Sequence, residues 1–181
     1  MALKEFVDNV AMRTSLPGGG SVSAVVASLG SALACMGGLL TYGNKKFEKL
    51  DAEIRPLLPK FYDSYQELIA LCDRDGEAFQ SYMDARRLPE KTEDEKSVKE
   101  VAVENGLIEC IKVPYTIVLK AFGLWPYLEK LAPIFNIQTK SDVLVAAKCL
   151  DTGIYGAFEN VKINCKGFTG INKDLVNAVF F

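Results

Sequence analysis

Apolar residues recur along this chain at helical spacing, and no segment shows the sustained alternation of a strand. Near the amino end, Leu3, Phe6, Val7 and Val10 lay one apolar stripe along a short helix. After a glycine-rich turn, residues 22–43 hold no charged side chain and predict a buried helix to about Tyr42, closed by Gly43 and Asn44. Its small residues Gly30, Ala34 and Gly38 recur every four, so a second helix can come close. Phe61, Tyr65, Leu68, Ile69 and Cys72 set a third helical stretch toward Met83, irregular near Pro56 and Pro59. Thr92 and Glu95 form a capping box at the start of a long helix that Pro114 is expected to kink or break. Helical spacing resumes over residues 124–131. Ser141 or Asp142 caps a last helix through Ala146, Leu150, Ile154, Ala157 and Val161. Residues 165–181 are weakly patterned and end in Val179, Phe180 and Phe181. The pattern predicts an all-α helical bundle, one domain over residues 1–181, with no internal repeat and no linker.

Composition narrows what such a bundle does. A formal net charge of -2 argues against nucleic acid as the main partner. Five cysteines (Cys35, Cys72, Cys110, Cys149 and Cys165) are scattered without a CxxC pair, and there is no histidine, so no metal site is expected. Scattered cysteines flanked by apolar residues suit a reducing compartment. With Lys4, Glu5 and Asp8 in place of an apolar leader, a cytoplasmic location is expected. Residues 22–43 are long enough to span a bilayer, but their Gly, Ala and Ser content favours a buried helix, and no membrane span is expected. Without histidine, proton transfer falls to Asp, Glu, Lys, Tyr or Cys.

Three places carry candidate chemistry. The Pro17-Gly18-Gly19-Gly20-Ser21 loop opens the uncharged helix, and Ser21 or Ser23 is a candidate cap. Free N–H groups at such a helix start suit an anion or a carbonyl oxygen. No Gly-Lys-Ser/Thr follows and no strand precedes, so it is neither a Walker loop nor a dinucleotide fingerprint. By spacing alone a tight turn and a ligand loop stay open. Asp73-Arg74-Asp75-Gly76-Glu77 places Asp73 and Glu77 on one helix face, with Asp75 aimed elsewhere beside Gly76. A solvated acidic face explains them as simply as a site does. Lys45, Lys46 and Lys148 adjoin apolar helices. Lysines are usually solvated, but a ligand carboxylate would account for Lys148 in its apolar surroundings.

Read together, several segments resemble one family. They are Phe6-Val7 with Arg13-Thr14, the glycine loop, Gly30 with Cys35-Met36, and Leu40-Thr41-Tyr42-Gly43. Further on come Asp73-Arg74-Asp75-Gly76-Glu77-Ala78-Phe79, Arg87-Leu88-Pro89, Val113-Pro114, Leu124-Trp125-Pro126, Ser141-Asp142 with Val145-Ala146-Ala147-Lys148, Asn160-Val161 and Ile163-Asn164. The chain is similar to the cyclodeaminase domain of formimidoyltransferase-cyclodeaminase, over about residues 3–164. The resemblance implies a dimerising helical domain with a reduced-folate site near the subunit interface. It implies conversion of 5-formimidoyltetrahydrofolate to 5,10-methenyltetrahydrofolate and ammonia, in histidine breakdown. The family's catalytic aspartate falls on Asp75. For tetrahydrofolate, carried as a polyglutamate, the candidate contacts are Gly18, Gly19, Gly20, Ser21, Lys45, Lys46, Ser141, Asp142 and Lys148. A methenyltetrahydrofolate cyclohydrolase is the neighbouring enzyme reading, since bacterial relatives of this fold act on that substrate. Because the transferase domain has no counterpart here and residues 165–181 look short and divergent, a catalytically weak folate-binding or dimerisation module is the third. A separate formimidoyltransferase would then be a partner.

Overall fold

The computed structural model describes residues 2–167; Val179, Phe180 and Phe181 lie outside the described residues. All regular structure among these is helical: α1 (Leu3–Val10), α2 (Gly19–Leu39), α3 (Asp51–Ile54), α4 (Leu58–Arg86), α5 (Glu93–Phe122), α6 (Trp125–Leu131) and α7 (Lys140–Cys165), with single 3-10 turns at Glu48–Leu50 and Ile137–Thr139. The four long helices form the bundle. α2 packs against α4 and α7, and α5 closes the ring by packing on α4 and α7. Phe61, Leu68, Ile117, Leu131 and Leu150 are wholly buried between them. Among the described residues, α2 is the one helix long and apolar enough by length and composition to cross a membrane.

The spacing of small residues in α2 is explained by its neighbours. A Cβ on Gly30 would lie 2.8 Å from the Ala146 carbonyl oxygen of α7, and one on Gly38 would lie 2.7 Å from Leu58 Cδ2. Gly153 of α7 would meet the Ala27 side chain at 2.7 Å. Backbone thus lies against backbone along α2 and α7. On the α4 side, Ser28 and Ser31 donate across the interface to the carbonyls of Tyr65 (2.9 Å) and Phe61 (2.7 Å). Hydroxyls that would otherwise be buried without partners therefore fasten the two helices.

Pro114 neither breaks nor ends α5, which runs unbroken to Phe122. A proline inside a helix deprives the carbonyl four residues earlier of its donor. That carbonyl belongs to Cys110, and the Asn164 side-chain amide of α7 donates to it at 2.7 Å. The missing bond is supplied from a helix 54 residues away, so the local rule fails for a tertiary reason.

The capping box forms as its spacing requires: Thr92 Oγ1 accepts from the Glu95 N–H, and Glu95 Oε2 accepts from the Thr92 N–H, both at 3.1 Å. The other expected caps are replaced. α2 starts at Gly19 with Gly18 as its cap, so neither Ser21 nor Ser23 caps it. Ser23 instead bonds back to the Gly19 carbonyl at 2.7 Å. At the far end α2 stops at Leu39, short of Tyr42, and a turn leads to Gly43 at φ 72°. α7 begins at Lys140, ahead of Ser141 and Asp142, because the preceding 3-10 turn feeds it directly. Asn136 caps that turn, its side chain accepting from the Gln138 N–H at 3.1 Å.

Candidate active site

At the amino end of α2 the first-turn N–H groups have no partner within their own helix. α4 delivers a carboxylate to them. Asp75 Oδ2 accepts from the Ser21 hydroxyl at 2.8 Å, and the Ser21 main-chain N–H also donates to this carboxyl. A Cβ on Gly20 would overlap Asp75 Oδ1, so this position tolerates only glycine while Asp75 is in place. Gly19 is held to the same residue type by α7, where the Asn160 amide nitrogen would lie 2.9 Å from its Cβ. Three helices therefore meet at one corner, with a single carboxylate seated on a helix amino terminus.

The electrostatics of Asp75 are a contest. Burial raises its pKa, while the hydroxyl and N–H of Ser21 hold the ionised form and pull the other way; the balance leaves the pKa raised. Such a carboxyl is a better proton acceptor than an exposed one and remains able to give the proton back. Cys72 and Cys110 stand nearby. Burial first, then the charges of Asp73 and Asp75 for Cys72, and of Asp75 and Glu109 for Cys110, push both thiols up to about 11. They stay neutral near pH 7, which removes cysteine from the proton-transfer candidates at this corner.

Beside this corner a groove of about 560 Å³ opens between α1, the glycine loop and α4. Phe6, Met12 and Pro17 give it an apolar wall, Ser21 its inner edge, and Asp73 and Glu77 its rim. Gly76 opens onto free space, with no atom within 4 Å of where its Cβ would stand. A second groove of about 590 Å³ lies between α4 and α5, lined by Arg74, Ser81, Asn105 and Glu109 among others, but it touches neither the glycine loop nor Ser21. Volume alone does not choose between them; proximity to the half-buried carboxylate, through Ser21, does.

The structure gathers some of the sequence candidates and separates the others. Gly18, Gly19, Gly20, Ser21 and Asp75 share one corner. Lys45 and Lys46 are exposed beyond the opposite end of α2, a helix of 21 residues and so about 30 Å long. Ser141 and Asp142 start α7 at that same far end, where Val143 packs on Gly37. Lys148 lies midway, 84% exposed, and 3.7 Å from Asp151. Its surroundings are solvent and a neighbouring carboxylate, which answers why a lysine stands in an apolar stretch of sequence. Among the described residues no basic side chain lines the groove beside Asp75. Phe6, Met12 and Asn160 belong to the corner and were not singled out by their residue types. For Asn160, the signal available was its place on the α7 face that also carries Gly153 and Gly156. Among the described residues no group of three or more His, Cys, Asp or Glu is placed to hold a metal ion.

The family described as Formiminotransferase-cyclodeaminase matches residues 2–178. The chain belongs to that family. The match runs past Asn164 to include most of the carboxyl-terminal stretch that reads as divergent. Among family relatives, the chicken formimidoyltransferase-cyclodeaminase is 44% identical over 167 residues, 92% of this chain and 31% of its own length. A Methylorubrum extorquens methenyltetrahydrofolate cyclohydrolase is 30% identical over 165 residues, covering 91% of this chain and 79% of that relative. The crystal structure of a formiminotetrahydrofolate cyclodeaminase from Thermotoga maritima superposes with a TM-score of 0.83 at 30% identity, covering 99% of this chain and 86% of the other. The all-α bundle is thus the fold of that family member. The chain spans about a third of the length of the curated formimidoyltransferase-cyclodeaminases it matches.

Proposed function

We propose that this domain is a folate cyclodeaminase that converts 5-formimidoyltetrahydrofolate to 5,10-methenyltetrahydrofolate and ammonia, with Asp75 as its acid–base group. The observation that carries the reading is a half-buried carboxyl of raised pKa, fixed beside a groove of ligand size, in a chain without histidine. Folate N10 attacks the formimidoyl carbon and gives a tetrahedral centre. Asp75 takes the N10 proton and passes it to the amino nitrogen on that carbon. The C–N bond then breaks, ammonia leaves, and the cationic methenyl bridge remains. Asp73 and Glu77 at the groove rim add negative potential, which favours the cationic amidine and the methenyl product. The apolar wall of Phe6, Met12 and Pro17 suits the flat pterin ring.

The test is methenyl formation, followed by its near-ultraviolet absorbance together with ammonia release. Turnover by the wild-type chain and its loss in Asp75→Asn are expected; no turnover, or full activity of the variant, overturns the reading. The 30% identical cyclohydrolase favours a second reading, hydrolysis of the methenyl bridge, which uses the same corner with water as nucleophile. Comparing rates on the formimidoyl and methenyl folates decides between them. Folate binding without turnover on either would leave the third, a binding module.

The reaction consumes a formimidoyl folate, so a formimidoyltransferase must supply it. We place the step in histidine breakdown in the cytoplasm, on a polyglutamylated folate. We also infer a homodimer. Leu29, Met36 and Leu39 are 50%, 36% and 55% exposed along the open edge of α2, beside Leu144 and Val145 of α7 at 58% and 51%, a face suited to a second copy. Light scattering should give twice the chain mass, and Leu29→Glu should reduce it to one. In such a pair the tail-binding candidates Lys45 and Lys46 would act on a folate held by the partner subunit, since in one protomer they lie too far from Asp75.

A further inference from the structure

Glycine-rich helix starts suit external anions, but the anion seated at this helix start is the protein's own. The Ser21 hydroxyl is spent on Asp75 Oδ2 at 2.8 Å, the Ser21 N–H on the same carboxyl, and the side chain is 1% exposed. Gly20 leaves no space for the carboxyl to swing toward α2 without displacement of main chain. We propose that Ser21 is a positioning residue for the reaction given above, on which this inference rests: its hydroxyl is engaged by the Asp75 carboxyl rather than by the folate, and it aims that carboxyl and keeps it ionised between turnovers.

The chemistry follows from what faces Asp75. Cys72 on its own helix and Cys110 on α5 are neutral thiols near pH 7; Asp73 and Glu109 stand beyond them with charges that disfavour ionisation nearby. α2 brings Gly20 and Ser21 against it, and Asn160 of α7 packs on the neighbouring Gly19 with its amide donating to the Gly156 carbonyl. Among the described residues the groups that hold its charged form are the two donors of Ser21, together with the positive end of the α2 dipole. Without the hydroxyl, desolvation is opposed only by the N–H and the helix dipole. The carboxyl then takes up its proton at higher pH and turns more freely about its side-chain torsions.

The experiment titrates Asp75 directly. The 13C carboxyl signal, assigned by its loss in Asp75→Asn, is followed against pH in wild type, Ser21→Ala and Ser21→Cys, the last keeping nearly the same volume with a weaker donor. The midpoint should move to higher pH in Ser21→Ala and fall between in Ser21→Cys. In parallel, the acid limb of the kcat profile should move the same way. At its plateau kcat should fall about tenfold while the folate KM stays within about twofold. An unmoved titration midpoint in folded Ser21→Ala, or in Ser21→Cys should the alanine variant not fold, overturns the proposal. So does a KM that rises with kcat unchanged, which is the mark of a substrate contact. If wild type turns over no folate, the proposed function fails, yet the titration still decides the role of Ser21.

Discussion

The two ends of α2 carry the same kinds of residue and use them in opposite ways. At the amino end, Gly19, Gly20 and Ser21 receive a carboxylate from α4. Beyond the carboxyl end, Gly37, Gly38 and Thr41 build a neutral, closed network. The Thr41 hydroxyl donates to the Gly37 carbonyl at 2.8 Å and accepts from the Asn136 N–H at 2.7 Å, while the Thr139 hydroxyl donates to the Asn136 carbonyl at 2.8 Å. Every polar group there has its partner and no charge is enclosed. One end places an ionisable group where ionisation is opposed by burial, and the other removes every reason for change. Glycine and hydroxyl residues at a helix end therefore announce close packing; whether that packing is chemical or structural depends on what the neighbouring helix brings.

The sharpest break of this contrast is Asp75→Asn. Turnover should fall by about 10²–10⁴-fold, the range for a lost acid–base group, while the chain stays folded. Its stability should also respond to pH with a definite sign. Because the folded-state pKa of Asp75 is raised, the wild-type fold gains stability as pH falls through that value and bears the cost of the buried charge at neutral pH. In thermal melts the Asn variant should exceed wild type at about pH 7, with the gap closing toward about pH 4. Gly20→Ala should come next: the added Cβ displaces the Asp75 carboxyl, and kcat should fall about 10²-fold. At the other end Thr41→Val should cost about 1–3 kcal/mol of stability in denaturant melts, by orphaning the Asn136 N–H, and leave kcat of the folded chain unchanged. Smallest is the double variant Lys45→Ala and Lys46→Ala. Its KM for a monoglutamyl folate should stay within about twofold, since that substrate lacks the polyglutamate tail on which the two exposed lysines would act across the dimer. A larger rise would show that the far end does reach substrate.

The bundle was legible because its signals are local or periodic. The capping box of Thr92 and Glu95 needs only four residues, and the small-residue stripe of α2 reports close helices whichever helices they are. What escaped depends on chain segments far apart. Pro114 reads as a helix breaker until Asn164 answers the Cys110 carbonyl. Ser141 and Asp142 read as caps until the turn at Ile137–Thr139 takes over that task. The candidate site divides in the same way. Asp75 was reached through the family resemblance, whereas its raised pKa required the burial that three helices create. The lysines stand out in the sequence by charge, and charge carries no information about which end of a helix about 30 Å long they occupy.

The glycine contacts between α2 and α7 have a mechanical consequence. Where side chains separate two helices, rotamer changes let one slide over the other by fractions of an ångström. Here Gly30 lies on the Ala146 carbonyl and Gly153 on Ala27, so the spacing is fixed by main-chain covalent geometry. α2 behaves as a stiff rod clamped along its length, and its tip is the seat of Asp75. The accuracy with which that carboxyl meets a reacting nitrogen is then set about two to three helical turns away, at residues that never approach the substrate.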